Sequence, residues 1–225
     1  MPSHYRRYAL AALVYAAGFA YILLRWESIP DPVPIHVGLT GEADGFAPKT
    51  LLSTTAAMII GIVVSAVMPL LLPPRTLARR TVDVPAEDAL PFSETAARRV
   101  EKLCRASADL VSKIILALAA LLTVMNIGMV VPDAAIPFWL EIALWIGFIV
   151  YAVVTGMRVS SAKDGTEPDA EEQARNAQLR YQGGMGTYTA PNDPMVAAVL
   201  PSNPGKIAVN TAHAPGKRYL RRMIL

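Results

Sequence analysis

The fold is decided by residues 51–72, which read LLSTTAAMIIGIVVSAVMPLLL. This run carries no charged side chain, and a helix of its length crosses a hydrocarbon core of about 30 Å at about 1.5 Å per residue. Pro73 and Pro74 follow directly, and proline disrupts the interior of a helix. The stretch therefore predicts a transmembrane helix that ends before Pro73.

Three further apolar runs lie at 8–24, 110–131 and 138–157. Of the 225 residues, 53% are hydrophobic and 17% are charged, against roughly half and a quarter in soluble proteins. We predict an all-α membrane protein with a bundle of four transmembrane helices over residues 1–157. Small residues favour close helix packing in two of the runs: Ala12, Ala16 and Ala20 in the first, and Gly61 and Ser65 in the second.

Basic residues gather on one side of the predicted spans. The N-terminus, the loop 73–109 and the tail 158–225 are rich in arginine and lysine, whereas the loop 25–50 has two basic residues and the turn 132–137 has none. The positive-inside rule then predicts that both termini are cytoplasmic and that the loop 25–50 is extracytoplasmic. The net charge of +3 reflects this topology, so we do not expect nucleic acid as a partner.

The loop 25–50 has a rigid composition. Alternating prolines at 30, 32 and 34 favour extended backbone, its glycines supply turns, and Asp44-Gly45 is typical of a turn. Its apolar side, which includes Ile29, Val33 and Leu39, predicts a lid over the outer helix ends, and this lid either seals the bundle or binds a ligand. The candidate recognition or lid residues are Pro30, Pro34, His36, Gly41, Asp44, Phe46 and Lys49.

The loop 73–109 has two parts. Residues 75–92 are polar and rich in proline, which predicts irregular structure. Ser93 is then typical of a helix N-cap, with Glu94 in the first turn, where the helix dipole favours an acid. The helix that follows is basic and amphipathic, and it either lies on the inner leaflet or extends the third span into the cytosol.

The tail 158–225 begins with an acidic stretch that could form a short helix, and a group of glycines ending at Gly186 then interrupts regular structure. The remainder contains five prolines and few large apolar residues. We therefore predict an extended, largely irregular cytoplasmic tail that has no packed core of its own. Such a tail becomes ordered only against a partner or against the cytoplasmic face of the bundle.

Few residues inside the predicted spans can carry chemistry. Lys113 and Glu141 each lie about one turn from a span end and can reach the headgroups, whereas Asn126 is deeper and could hydrogen-bond across helices. No chain of acids or histidines crosses the bundle, which argues against a proton pump. His36 with the nearby acids matches no recurrent metal-ligand spacing, and no catalytic signature is present. We predict no enzymatic activity, no metal and no cofactor.

The motif in the loop 25–50 carries a family resemblance. Ile29-Pro30, Pro34, His36, Gly41, Asp44, Phe46 and Lys49 resemble the bacterial membrane domain of unknown function 1648, which occurs in SdpI-like immunity and signalling proteins and in many actinobacterial membrane proteins. The resemblance covers the first span, this loop and the start of the second span. It implies a bacterial plasma membrane location.

The tail resembles a second uncharacterised module. The resemblance rests on Tyr188, Pro191-Asn192-Asp193-Pro194, Val196, Pro201, Gly205, Val209-Asn210 and the basic end near Lys217. The chain departs from that module at Met195, where the family has a basic residue, and at Ala208, where it has an aromatic one. On this resemblance, the candidate residues by which the tail docks are Asn192, Asp193, Pro194 and Asn210.

These observations favour a non-catalytic accessory or interaction subunit of a larger bacterial membrane complex, with a respiratory supercomplex as one example. Its expected partners are other integral membrane subunits and lipids, and no small-molecule substrate is indicated. Two alternatives stay open. The first is an SdpI-like immunity or signal-sensing protein, and the second is a small transporter whose flux would depend on Glu141 or Asn126.

Overall fold

The computed structural model of the chain describes residues 3–38, 41–85, 87–160, 165–180, 182 and 186–224, with side chains omitted at 160 and 222–224. Leu39, which we placed on the apolar side of the loop, lies outside the described residues. The chain forms two compact units. Met1–Leu70 and Asp109–Thr155 make the spanning unit, and Leu71–Ala108 and Gly156–Leu225 make the second unit. The loop 73–109, which we grouped with the bundle, thus falls mainly in the second unit.

In the described ranges, four helices are long and apolar enough to cross a membrane, as expected of a multi-pass membrane protein. They are α1 (Ser3–Leu24), α2 (Leu51–Val67), α3 (Glu94–Val130) and α4 (Phe138–Ser160), and a 3₁₀ turn at Met68–Leu71 continues α2. A reciprocal cap begins α2, since Thr50 and Ser53 each accept the other's backbone N–H. The four predicted spans are thus confirmed as helices of sufficient length and apolar composition.

The helix that we expected after Ser93 is continuous with the third span, and together they form α3. The Ser93 hydroxyl accepts the amide of Ala96 at 2.9 Å, which confirms the predicted N-cap. Of the two alternatives for this segment, the structure has the extension of the span. Its length of 37 residues corresponds to about 55 Å, well beyond a hydrocarbon core.

Close helix packing in the spanning unit depends on glycines. A Cβ added to Gly18 would lie 2.5 Å from the Thr123 methyl group, and one added to Gly61 would overlap the Tyr15 hydroxyl. The stripe of Ala12, Ala16 and Ala20 that we predicted for packing is exposed. The buried residues of α1 are instead Ala11, Tyr15, Gly18 and Ile22.

Two strands follow α1, so the all-α prediction is wrong for this loop. Strand β1 (Val33–Val37) pairs antiparallel with β2 (Ala43–Ala47) in a hairpin. The alternating prolines favour the extended backbone that a strand needs. His36 lies opposite Gly45, and the strand register shifts on either side of His36. Asp44 and Gly45, which we expected in a turn, lie inside β2.

The second unit contains regular structure where we predicted a largely irregular tail, although the first helix of the tail lies in the acidic stretch for which we expected a short helix. Helix α5 (Ala170–Gln178) precedes β3 (Thr187–Tyr188), β4 (Ala197–Ala198) and β5 (Ala208–Asn210), and α6 (Ala214–Ile224) follows. The sheet order is β3-β5-β4, with β3 parallel and β4 antiparallel to β5. Its core includes Leu77, Leu90 and Val100 from the segment 71–108. The tail alone lacked enough apolar residues, and this segment supplies them.

Candidate functional site

Lys49 closes the base of the hairpin. Its ammonium donates to the carbonyl of Ile29 at 2.8 Å and lies 5.2 Å from the centre of the Trp26 ring. Its amide donates to the Asp31 carboxylate at 3.1 Å. A cation between a carbonyl and an aromatic face holds the two ends of the hairpin together, so Lys49 has a structural role at this position.

His36 and Asp44 face each other across the two strands. The Nδ1 of His36 lies 2.5 Å from Oδ1 of Asp44, and the two side chains are 70% and 57% exposed. Gly45 lies opposite His36 and leaves room for it, because an added Cβ would come within 2.8 Å of the His36 Cβ. The pair is therefore a surface feature of the hairpin and contributes little to its stability.

The turn of the hairpin rests on the start of α4. Gly41 has a φ of +85° and donates its amide to Gly38 at 3.0 Å. A Cβ on Gly41 would lie 2.8 Å from Cγ of Phe138. Only glycine combines this backbone conformation with so close an approach, which explains its place in the motif.

The hairpin has one face on the unit and one face away from it. Ile29 and Val33 are 3% and 0% exposed and belong to the core of the spanning unit. Ile35 and Phe46 are 44% and 56% exposed, and Pro34 lies opposite Phe46 in the strand register. Pro30 is exposed as well. The hairpin thus covers part of the core and presents a second face of apolar residues beside the His36–Asp44 pair.

Asp193 is the centre of a buried polar network in the second unit. Its carboxylate accepts two hydrogen bonds from Arg175, at 2.5 and 2.9 Å, and a third from the Tyr188 hydroxyl at 2.7 Å. Arg175 and Asp193 are 1% and 0% exposed. Burial, and then the charge of Asp193, raise the pKa of Tyr188 well above 10, so this hydroxyl stays a donor.

The other three predicted docking residues differ in whether they bond through the side chain or the backbone. The side chain of Asn210 is fully buried and bonds the amide of Ala190 at 3.1 Å and its carbonyl at 2.8 Å. Asn192 and Pro194 instead offer backbone carbonyls, which accept the amides of Leu90 and Val82, both at 2.8 Å. The tail therefore docks on the chain's own segment 71–108, and Asp193 and Asn210 hold its interior.

Asp169 joins the start of α3 to the start of α5. Its carboxylate accepts the Ser93 hydroxyl at 2.8 Å, the Thr95 amide at 3.1 Å and the Glu172 amide at 2.7 Å. Desolvation raises the pKa of Asp169, but these hydrogen bonds outweigh it and bring the pKa to about 2. Nearby, Arg99 donates to the buried Glu172 at 2.7 Å. One carboxylate thus caps two helices.

Two of the polar residues that we singled out in the spans have partners within the unit. Asn126 accepts the amide of Ala57 at 3.1 Å and donates to the carbonyl of Thr54 at 2.7 Å, as expected of a cross-helix hydrogen bond. Lys113 pairs with Asp109 one turn away at 2.7 Å. Glu141 lies in the first turn of α4, where the helix dipole favours an acid.

A groove of about 440 Å³ lies between α3 and α4. We call it the α3–α4 groove, and its walls are almost entirely apolar. It is lined by Ala117, Ala120, Leu121 and Val124 of α3 and by Ala143, Leu144, Gly147, Phe148 and Tyr151 of α4. An added Cβ on Gly147 would meet no atom within 4 Å. In contrast to Gly18 and Gly61, this glycine has no neighbour among the described residues that requires it.

Sequence reasoning found the hairpin residues and Asn126 but missed Arg175, Arg99 and Glu172. The available signal was the spacing of Glu172 and Arg175 on one short helix. Residues three apart share a helix face, so this spacing puts the two charged side chains on the same side of α5. Their partners lie 18 residues along the chain from Arg175 and 73 from Glu172, and spacing does not reveal such pairs. In the described ranges, no three His, Cys, Asp or Glu side chains group as a metal site.

Residues 13–62 match the family described as "Domain of unknown function (DUF1648)". The match covers the latter part of α1, the hairpin and the first two thirds of α2. This region contains the motif residues of the loop 25–50. Neither the curated proteins nor the solved structures contain a match to the chain. The comparisons therefore support a domain of this kind over residues 13–62 and give no activity.

Proposed function

We propose that the chain is a non-catalytic accessory subunit of a bacterial membrane assembly and that the α3–α4 groove receives a transmembrane helix of another subunit. The observation that carries the proposal is Gly147, which lines the groove and has open space where a Cβ would lie. Glycine in a helix interior costs about 0.5–1 kcal/mol relative to alanine. Within a membrane this cost is offset where a neighbouring backbone approaches closely, because small residues permit such packing.

The lining of the groove supports a helix as the occupant. Ala117 and Ala120 on α3 face the groove together with Ala143 and Gly147 on α4. The last two are four residues apart, the spacing at which small side chains form a flat stripe on a helix. The described residues of α4 have no buried member over its most apolar window, so the helix has most of its surface free for such contacts.

The topology that we propose follows the positive-inside rule. Both termini and the second unit are cytoplasmic, and the β1–β2 hairpin is extracytoplasmic in a bacterial plasma membrane. The exposed large apolar side chains in the described part of the second unit are Leu71, Phe92 and Met157, which suits water as its solvent. A respiratory complex is one assembly that would use such a subunit.

The test is co-purification from native membranes in a mild detergent, with the tagged full chain and two variants. Gly147→Leu fills the groove, so the partner subunit is expected to be lost. Gly156→Leu is the matched control, because Gly156 also meets no atom within 4 Å and lies about two and a half turns further along α4, on the opposite face. A lone protein from all three preparations would refute the proposal, as would equal partner retention by Gly147→Leu.

An SdpI-like sensing role is the second candidate, and the exposed face of the hairpin favours it. Ile35 and Phe46 lie there beside the His36–Asp44 pair, and exposed apolar side chains rimmed by polar ones mark binding surfaces. In this case Phe46→Ala would change the sensitivity of cells to an envelope-active peptide, and Gly147→Leu would not. Unchanged sensitivity after deletion of the whole gene would count against it.

A small transporter is the third candidate. It requires polar groups that are available to a passing solute. Both polar atoms of the Asn126 side chain are bonded to the backbone of α2, which leaves Glu141 as the group to test. Flux that falls in Glu141→Gln would favour this function over the other two.

A further inference from the structure

One face of α6 is fixed against the second unit. Gly216 is buried, and a Cβ added to it would overlap the carbonyl oxygen of Asn210 at the end of β5. Tyr219 packs against the cluster of buried side chains that contains Leu77, Val100 and Val196. The rotation of α6 about its own axis is therefore set by the contacts of two residues with the unit's core.

The opposite face of α6 carries three basic residues. Lys217, Arg218 and Arg221 are all exposed, and residues at these spacings lie on adjacent positions of a helix surface. Helix α6 contains no acidic residue. We call Lys217, Arg218 and Arg221 the α6 basic face.

Several exposed arginines of the second unit are neutralised by glutamates, whereas the three cations of the α6 basic face are not. Arg79 pairs with Glu94 and Glu101 at 2.6 Å, Arg98 pairs with Glu94 at 3.2 Å, and Arg105 pairs with Glu101 at 3.7 Å. Within the part of the chain that the structure describes, Lys217, Arg218 and Arg221 form no ion pair. Their combined positive charge faces outward without a counter-charge.

We infer that the α6 basic face binds the anionic phospholipid surface of the membrane that the chain itself spans. Charge complementarity points to this occupant, because anionic headgroups attract clustered lysine and arginine. The second unit is covalently continuous with α3 and α4, and such a tether raises the effective concentration of the membrane surface near α6. This inference does not depend on a partner subunit.

The contact that we infer is electrostatic and does not require insertion. The side of α6 with Gly216 and Tyr219 already packs on the second unit, so it is not available to lipid tails. Each basic residue near an anionic surface changes the ratio of bound to free helix about five-fold, or about 100-fold for three. Salt screens exposed charges over a distance of about 8 Å at physiological ionic strength, so the contact should weaken as salt rises.

The experiment uses the full chain in nanodiscs of phosphatidylcholine, either alone or with about 30% phosphatidylglycerol, an anionic lipid. A donor fluorophore is placed on Ala214→Cys, at the exposed first residue of α6, and an acceptor on a trace of headgroup-labelled lipid. Cys104 is buried and stays in place. We expect more energy transfer in the anionic discs than in the neutral ones, and we expect about 0.5 M salt to remove the difference.

Two charge variants test whether the lipid-dependent difference in energy transfer comes from the α6 basic face or from the net positive charge of the chain. Lys217→Gln, Arg218→Gln and Arg221→Gln together should abolish the lipid-dependent difference. The control combines Arg80→Gln and Lys206→Gln, which are exposed residues on other segments of the same unit, and it should keep the difference. Circular dichroism and a protected tryptic core verify that each variant folds.

Three outcomes would overturn the inference. One is equal energy transfer in neutral and anionic discs, and another is an equal loss in the control variant. The third is approach of α6 to the disc only after an acidic protein is added, which would make that protein the partner. Retention of the difference by the control, with its loss in the triple variant, supports the lipid surface.

Discussion

The two units of the chain place their charged and apolar side chains in opposite ways. The spanning unit exposes its apolar residues, such as Ile60 and Ile146, and the contact between the His36 and Asp44 side chains lies on its surface. The second unit buries a charged pair, Arg175–Asp193, at 1% and 0% exposure. The difference shows that burial by itself does not mark the important residues. In lipid the exposed apolar surface is solvated, whereas in water a small unit completes its core with paired charges.

The polar groups of the two units also differ in how fully they are bonded. Asn210 and Asp193 in the second unit are buried and make several hydrogen bonds each. In the described part of the spanning unit, the Thr123 hydroxyl is buried without a partner. Four sets of variants test whether these differences affect the stability of the two units as we expect.

The largest expected effect comes from removing the buried carboxylate. Asp193→Ala leaves Arg175 buried without a counter-charge and Tyr188 without its acceptor, and loss of one partner from such a pair costs about 3–5 kcal/mol. Hydrogen exchange of the β3, β4 and β5 amides measures this loss. Asp44→Ala removes the exposed partner of His36, and it should change the stability of the spanning unit by less than about 1 kcal/mol. Equal losses of stability in Asp193→Ala and Asp44→Ala would show that the two units do not differ in this respect.

The next effect compares two asparagines in different surroundings. Asn210→Leu leaves the buried amide of Ala190 and the partly buried amide of Ala212 without acceptors, and a buried unsatisfied group costs about 1–3 kcal/mol. Asn126→Leu removes cross-helix bonds within lipid, where the measured average is about 0.6 kcal/mol and the maximum about 1.7. Denaturant titration of both variants in the same micelles gives the two numbers. A larger loss in Asn126→Leu would reverse our ranking.

A smaller effect concerns glycine. Gly216→Ala brings a Cβ onto the carbonyl of Asn210, and such overpacking costs about 1–3 kcal/mol. It should also loosen α6, which trypsin would detect as faster cleavage after Lys217. Gly147→Ala meets open space, so the isolated protein should be unchanged or gain about 0.5–1 kcal/mol in helix stability. A loss in Gly147→Ala would mean that the chain itself needs this glycine.

The smallest effect depends on pH. The pKa of Asp169 in the folded chain is about 2, below the usual value of about 3.9. A lowered folded-state pKa stabilises the fold above the unfolded-state pKa, and this contribution is lost as pH falls from about 4 towards 2. Because Asp169 is partly exposed, we expect at most about 1 kcal/mol. Hydrogen exchange of the second unit against pH should show the loss, and Asp169→Asn should flatten it.

The sequence predicted those features that depend on local composition. Long apolar runs with at most one charged residue each give the four spans, because a single run meets the length requirement without any partner. Ser93 as a cap and Asn126 as a cross-helix donor were also evident from residue type and place. The hairpin strands were not, since the loop 25–50 contains three glycines and four prolines and the register depends on contacts across the loop.

The tail shows why the rest was not predictable. Its own residues are too few and too small for a core, which was the basis of the irregular prediction. The structure completes that core with Leu77, Leu90 and Val100 and with the Arg175–Asp193 pair. These contacts join residues far apart in the chain, and one sequence does not show which distant residues meet.

The sequence by itself determined that the chain has four membrane-spanning helices and a constrained loop between the first two. Only the tertiary structure decided that this loop is a hairpin with an exposed apolar face, that the tail is folded, and that Gly147 opens on the α3–α4 groove. The physical reason is the range of the interactions. Transfer of an apolar run into lipid depends on that run alone, whereas packing, buried ion pairs and an unfilled groove depend on which surfaces meet in space.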